Sequence, residues 1–148
     1  MITTFKRTGK RVLPAGVAAL GIALGTFRGD LAAADPPAPS VDWSRAELVT
    51  VQMVEDRFIP NQFRFRHGVP YRLHLENNGS EMHEFTAPEF FKAIVVKNPE
   101  VLEREQNEVL LHPNERKDLY FVAPKPGHYA LICADHDWDG MKGDITVE

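Results

Sequence analysis

From Ala46 onward, apolar and polar positions alternate with a period of two. Val49, Val51 and Met53 alternate with Thr50, Gln52 and Val54, Phe63 and Phe65 with Arg64 and Arg66, and Tyr71, Leu73 and Leu75 with Arg72, His74 and Glu76. Leu119 and Phe121 follow the same rule, then Tyr129, Leu131 and Cys133, and finally Ile145 and Val147. Successive side chains of an extended backbone point to opposite faces, so these runs predict half-buried strands. Turn-forming stretches separate them: Arg66-His67-Gly68-Val69-Pro70, Asn77-Asn78-Gly79-Ser80, Pro124-Lys125-Pro126-Gly127 and Asp139-Gly140. Short strands punctuated in this way predict an all-β chain, a sandwich or a barrel. Residues Pro99 to Asn107 (PEVLEREQN) break the rhythm and read as a short helical insertion in a loop crossing one end.

The N-terminal third has another pattern. Lys6, Arg7, Lys10 and Arg11 precede an apolar run from Val12 to Phe27, and Ala32-Ala33-Ala34 follows. That is the layout of a secretory signal peptide over residues 1–34, cleaved before Asp35. The apolar run is shorter than the ~20 residues of a spanning helix, so no integral membrane segment is expected after cleavage. Residues 35–45 (DPPAPSVDWSR) are proline-rich and polar, as in an N-terminal tether. Residues 46–148 remain as the folded domain.

Composition narrows the function. The chain has 148 residues, 43% hydrophobic and 26% charged, ordinary for one globular domain. Without residues 1–34 it keeps 12 of its 17 basic and 20 of its 21 acidic residues, a net charge of −8. A general nucleic-acid binder needs a basic face, so nucleic acid is not the expected partner, and a charge-steered partner protein should be basic. One cysteine, Cys133, excludes an intrachain disulfide, a four-cysteine zinc site and a C-x-x-C redox pair.

The sharpest chemical signal surrounds that cysteine. Cys133, His136 and Met141 are spaced C-x2-H-x4-M between two predicted strands. A thiolate, an imidazole and a thioether form a soft donor set. One more imidazole completes a His2Cys site with a weak axial Met, the arrangement of mononuclear electron-transfer copper. His83 is the candidate, because it follows the Asn77-Asn78-Gly79-Ser80 turn and opens the run His83-Glu84-Phe85. Zinc or iron fits the donor types too, but an axial thioether argues for copper. Taken singly, a cysteine ending an apolar strand is usually core, and a lone histidine is usually structural or solvated. Their joint spacing in an exported all-β chain is what gives them weight.

With these residues in place the sequence resembles the cupredoxin family, over roughly Glu47 to Glu148. The pattern formed by Gly127, Tyr129, Cys133, His136, Met141, Gly143, Ile145 and Val147 is similar to the family's C-terminal signature. The resemblance implies a Greek-key β-sandwich holding one copper ion, Cu(I) or Cu(II), at one end. His83, Cys133 and His136 would be its equatorial ligands and Met141 its axial one. After His83 comes Glu84, where the plastocyanin pattern has an asparagine that ties the two ligand loops together.

The remaining histidines are expected to be non-ligands. His74 lies on the face opposite Leu73 and Leu75 and is expected to be solvated, His67 and His112 lie in turns, and His128 is one step off the inward register. Around His136 the loop Ala134-Asp135-His136-Asp137-Trp138-Asp139-Gly140 carries three carboxylates and one tryptophan. It reads as a docking face for a basic redox partner, as a surface that attracts copper ions, or as a solvated acidic loop. A thiol enzyme built on Cys133 and a histidine base is disfavoured, because Cys133 follows a strand rather than opening a helix, and Met141 would have no role. The sequence therefore predicts a periplasmic, monomeric, non-enzymatic copper protein that carries single electrons between redox partners. The alternative is a periplasmic copper-binding protein for tolerance or delivery.

Overall fold

The computed structural model of the chain describes residues 40–148. The expected signal peptide and residues 35–39 of the tether lie outside the described residues. Among the described residues no helix is long and apolar enough to cross a membrane. Within the proline-rich stretch, Trp43–Arg45 forms a 3-10 turn. Asp42 caps it, its carboxylate accepting from the Ser44 backbone N–H at 3.1 Å and from the Ser44 hydroxyl at 2.6 Å.

The strands follow in chain order as β1 (Glu47–Val54), β2 (Arg57–Ile59), β3 (Gln62–Phe65), β4 (Pro70–Asn77), β5 (His83–Thr86), β6 (Val95–Val96), β7 (Glu108–Leu111), β8 (Arg116–Val122), β9 (Gly127–Ile132) and β10 (Lys142–Val147). They form two five-stranded sheets, ordered β2-β1-β4-β8-β6 and β3-β10-β9-β5-β7. The pairs β1–β4 and β3–β10 are parallel, and the others are antiparallel. The expected sandwich is thus present, its chain crossing repeatedly between sheets.

The period-two pattern fixes what lies between them. Val51 and Met53 from β1, Leu73 and Leu75 from β4, and Leu119 and Phe121 from β8 meet Phe63 and Phe65 from β3, Leu131 from β9 and Ile145 and Val147 from β10 in one core. Phe65 bridges the sheets, with ring centroids 4.8 Å from Tyr71 and 5.0 Å from Phe121. Rings at such spacing and tilt add to the burial free energy.

Two local expectations change. The α-helix is α1 (Pro88–Ala93), not the 99–107 segment. Pro88 sits in its first turn, where a fixed φ suits the helix and the missing N–H costs nothing. Phe90 and Phe91 are both buried, and Phe90 packs 5.2 Å from Phe121 and 5.5 Å from Tyr129. Two adjacent phenylalanines in six residues give no helical period, which is why the sequence conceals this element. Within 99–107 only Pro99–Val101 is helical, as a 3-10 turn. The run beyond lacks an apolar face to bury, and its Glu103 pairs back with Glu108. His74 is also not simply solvated. It is half-buried on the outer face of its sheet, 2.7 Å from Asp118, its cross-strand partner, and 3.2 Å from Glu76.

Candidate metal centre

His83 is the first residue of β5, and Cys133 directly follows β9. The two strands are antiparallel neighbours, with Thr86 opposite Ile132, so the sheet brings the start of one beside the end of the other. From Cys133 the chain makes a compact loop and returns as β10. The loop is closed by its own backbone: Cys133 N–H donates to the Met141 carbonyl at 3.0 Å, His136 N–H to the Cys133 carbonyl at 3.2 Å, and Met141 N–H to the His136 carbonyl at 3.2 Å. Gly140 turns the loop at φ +93°, a conformation that favours glycine.

The folding therefore converges three donors. His136 Nδ1 lies 3.4 Å from Cys133 Sγ, and His83 Nδ1 lies 3.9 Å from it. All three donor atoms lie within 4.8 Å of one another. Imidazole and thiolate bonds of ~2.0–2.3 Å, as to zinc, would separate a nitrogen from a sulfur donor by about 3.6–3.8 Å in tetrahedral or trigonal geometry. The observed spacings straddle that value, so the residues present fit a metal ion. Met141, on the same loop, is fully buried, and so are Cys133 and, at 1% exposure, His83 of β5. Only His136 offers a partly open edge, with its side chain 13% exposed.

Burial decides the electrostatics. It pushes the Cys133 thiol up from its ordinary value, against backbone N–H groups of Glu84, Asp135 and His136 that favour the thiolate. It pushes the His83 imidazole down, helped by His136 alongside, so His83 is held in the neutral form that binds metals. His83 Nε2 is buried and has no hydrogen-bond partner among the described residues.

Several residues around the donors were not singled out by the sequence reading. Asn77, the fully buried last residue of β4, donates to the Glu81 carbonyl at 2.8 Å and the Leu111 carbonyl at 3.0 Å, and accepts the Gly79 N–H at 2.9 Å. It thereby clamps the turn that delivers His83. Gly79 presses close: a Cβ there would sit 3.0 Å from His83 Nε2 and 3.1 Å from the Glu55 backbone nitrogen. Glu81 Oε2 lies 3.0 Å from His136 Nε2, so it accepts that N–H and leaves the Nδ1 lone pair facing the sulfur. The signal for Asn77 was present in the Asn-Asn-Gly turn, but nothing in the sequence marks Glu81.

Glu84 is fully buried. Its backbone N–H donates to Cys133 Sγ at 3.4 Å, and its Oε2 accepts the Asp135 N–H at 3.1 Å. The carboxylate thus ties β5 to the 133–141 loop, the task that the plastocyanin pattern gives to an asparagine.

The Cupredoxin-like domain family model matches residues 31–147. The chain belongs to the cupredoxin-like family. No curated protein matches its sequence. Among solved structures this cupredoxin is similar to the reduced auracyanin of the photosynthetic bacterium Roseiflexus castenholzii, with 20% identity, a TM-score of 0.53, and 70% of this chain and 98% of that chain covered. It is similar to auracyanin B with 21% identity, a TM-score of 0.54 and coverages of 73% and 93%. It is also similar to auracyanin A, a "blue" copper protein of the green thermophilic photosynthetic bacterium Chloroflexus aurantiacus, with 18% identity, a TM-score of 0.50 and coverages of 68% and 98%. At these identities the likeness concerns the fold.

Proposed function

We propose that this protein is an exported, periplasmic copper protein that carries single electrons between partner proteins. The observation that carries the reading is the convergence of His83 Nδ1, His136 Nδ1 and Cys133 Sγ within 4.8 Å of one another at one end of the sandwich. Soft sulfur with two imidazoles suits copper, and auracyanin A, of the same fold, is a "blue" copper protein. His83, Cys133 and His136 would hold the ion, with Met141 as the weak axial donor. Bound copper supplies a one-electron Cu(I)/Cu(II) couple.

The residues supply the rest. Backbone hydrogen bonds across the 133–141 loop and the Asn77 clamp fix the donors before any ion arrives, so little of the protein has to move when the charge changes. Buried Cys133 and His83 are shielded from water, and the partly open edge of His136 is the short way out for an electron. The carboxylates of Asp135, Asp137 and Asp139 beside that edge, with Trp138 74% exposed among them, form an acidic docking face for a basic partner.

The test is the visible spectrum after copper addition, with metal analysis alongside. A strong thiolate-to-copper band at one copper per chain is expected, and Cys133→Ser should abolish it. An intense band retained in Cys133→Ser rejects the assignment.

One observation favours a second reading, copper capture for tolerance or delivery. A cavity of about 370 Å³ opens over the donors and is lined by Glu55, Asp56, Glu81 and Asp139 together with His83 and His136. Four carboxylates at the mouth attract cations of any kind. Fast, reversible electron exchange favours the carrier, and copper sensitivity on deletion favours capture.

A further inference from the structure

Beside the Cys133 sulfur lies a second cluster of charge. Glu84 is fully buried and Glu108 on β7 is 2% exposed. Arg104 reaches in from the surface, its Nη2 3.4 Å from Glu84 Oε1 and its Nε 3.1 Å from Glu108 Oε1. Neither carboxylate oxygen has a well-directed hydrogen bond, so the guanidinium meets them mainly as a charge. Thr86 donates its hydroxyl to Glu108 Oε2 at 3.4 Å. Burial and the neighbouring Glu84 push the Glu108 carboxyl up, with Arg104 opposing, and the cluster's nearest approach to the metal donors is Glu84 Oε2, 3.9 Å from Cys133 Sγ.

The chain bends unusually to place Arg104 there. Arg104, Glu105 and Gln106 have φ of +43°, +58° and +65°, three consecutive side-chain-bearing residues in the left-handed region. Such residues are disfavoured one at a time and persist only where the surroundings hold them. The turn is pinned at its base, Glu103 N–H donating to the Glu108 carbonyl at 2.8 Å and Asn107 N–H to the Glu103 carbonyl at 3.1 Å. What the bend delivers is a guanidinium that faces both buried carboxylates.

We propose that Glu84, countered by Arg104, is a positioning residue that clamps the Cys133–His136 loop onto β5 and, as a buried anion beside the sulfur, sets how readily the bound metal is reduced. The argument is electrostatic. A fixed negative charge in a poorly screened interior opposes an added electron nearby and so favours the oxidised form. Glutamine at this position keeps the carbonyl that accepts the Asp135 N–H and removes the charge. Alanine removes both.

The proposal rests on the copper reading, and the experiment separates the two. Wild type, Glu84→Gln and Glu84→Ala are loaded with copper, and their reduction potentials and visible and electron paramagnetic resonance spectra are compared. Glu84→Gln should shift the reduced-to-oxidised ratio at a fixed poise at least tenfold toward reduced, about 59 mV for one electron, with the spectrum little changed. Glu84→Ala should change the spectrum as well. A coloured wild type with an unchanged potential in Glu84→Gln overturns the charge role. A wild type that develops no thiolate band overturns the copper reading, and the potential-setting role with it.

Positioning is read separately in the metal-free protein. Exchange protection of the Asp135 amide should survive in Glu84→Gln and be lost in Glu84→Ala, and equal protection in the two overturns the clamp. Arg104→Met should lower the unfolding midpoint in the wild-type background but not in a Glu84→Gln/Glu108→Gln background. Additive effects overturn Arg104 as the counter-charge.

Discussion

In the sheet β2-β1-β4-β8-β6, charged groups lie on the outside. Arg72 pairs with Asp118 at 2.9 Å, His74 joins Asp118 to Glu76, and Arg116 closes the ladder on Glu76 at 3.2 Å. The sheet β3-β10-β9-β5-β7 carries charged and chemically active groups inside as well, with His83, Glu84 and Glu108 buried and Cys133 just past the end of β9. Water screens the first set and the interior does not screen the second. A surface ion pair contributes ~0–1 kcal/mol, whereas a buried polar group must be matched or it destabilises the fold. One sheet is therefore a backing that tolerates change, and the other is an exacting frame for the site. Asn77, at the end of β4, reaches by its side chain from the backing sheet to the ligand turn, and the Met53 carbonyl of β1 accepts the Asn78 N–H of the same turn at 2.9 Å.

Breaking the backing from within should have the largest effect. Phe121→Ala removes a fully buried ring that packs on Phe65, Tyr71 and Phe90. It should cost about 3–5 kcal/mol, measured by denaturant unfolding of the metal-free protein, while any copper spectrum in the folded fraction stays unchanged.

Asn77→Ala attacks the bridge between the two regions. It unpairs the Glu81 and Leu111 carbonyls and the Gly79 N–H. A loss of about 2–3 kcal/mol is expected, and here the copper spectrum should change as well, because the His83 turn loses its clamp. A spectrum identical to wild type would mean that the turn holds itself.

On the outer ladder the effect should be smaller and tied to pH. Arg72, by hydrogen bonding, holds the Asp118 carboxyl below its ordinary 3.8, with burial opposing and His74 assisting. A carboxyl whose folded value is lowered adds stability that is present above pH 3.8 and is lost as the pH falls through the lowered value. Asp118→Asn should therefore slightly lower stability at neutral pH and flatten the acid limb below about pH 4. An unchanged acid limb would show that the ladder contributes nothing. The visible band should not move.

The smallest change touches neither sheet. Replacing Asp135, Asp137 and Asp139 with Asn should slow electron transfer to a positively charged acceptor at low salt, by roughly several-fold, and the difference should shrink as salt shortens the screening length toward ~8 Å. The measurement is a bimolecular rate constant against ionic strength. Parallel curves for the two proteins would remove the docking role.

What could be read in the sequence follows the same division. Strands such as Tyr71-Leu73-Leu75 declare themselves because one buried and one open face imprint a period of two. The convergence of His83 with Cys133 and His136 was legible because a cysteine, a histidine and a methionine on one short loop are a rare soft donor set. Helix α1 was hidden, since two adjacent phenylalanines carry no period. The parallel pairings β1–β4 and β3–β10 left no trace, because the chain between them crosses sheets. Glu84 was legible only in part. In the sequence it only departs from the asparagine of the plastocyanin pattern, and the fold shows it buried, with Asp135 and Arg104 as its partners. His74 reads as solvated until Asp118, forty-four residues on, is seen opposite it.

The sheets also differ from many others in how they end. The outermost strands β2, β6, β3 and β7 have three, two, four and four residues, while β1 and β4 within have eight each. An outermost strand exposes unpaired backbone groups onto which another chain can add, and a short one offers little length for that pairing. Crowded at high concentration, molecules of this kind have few places to zip together edge to edge, and the same brevity leaves little room for a stray strand to lengthen either sheet.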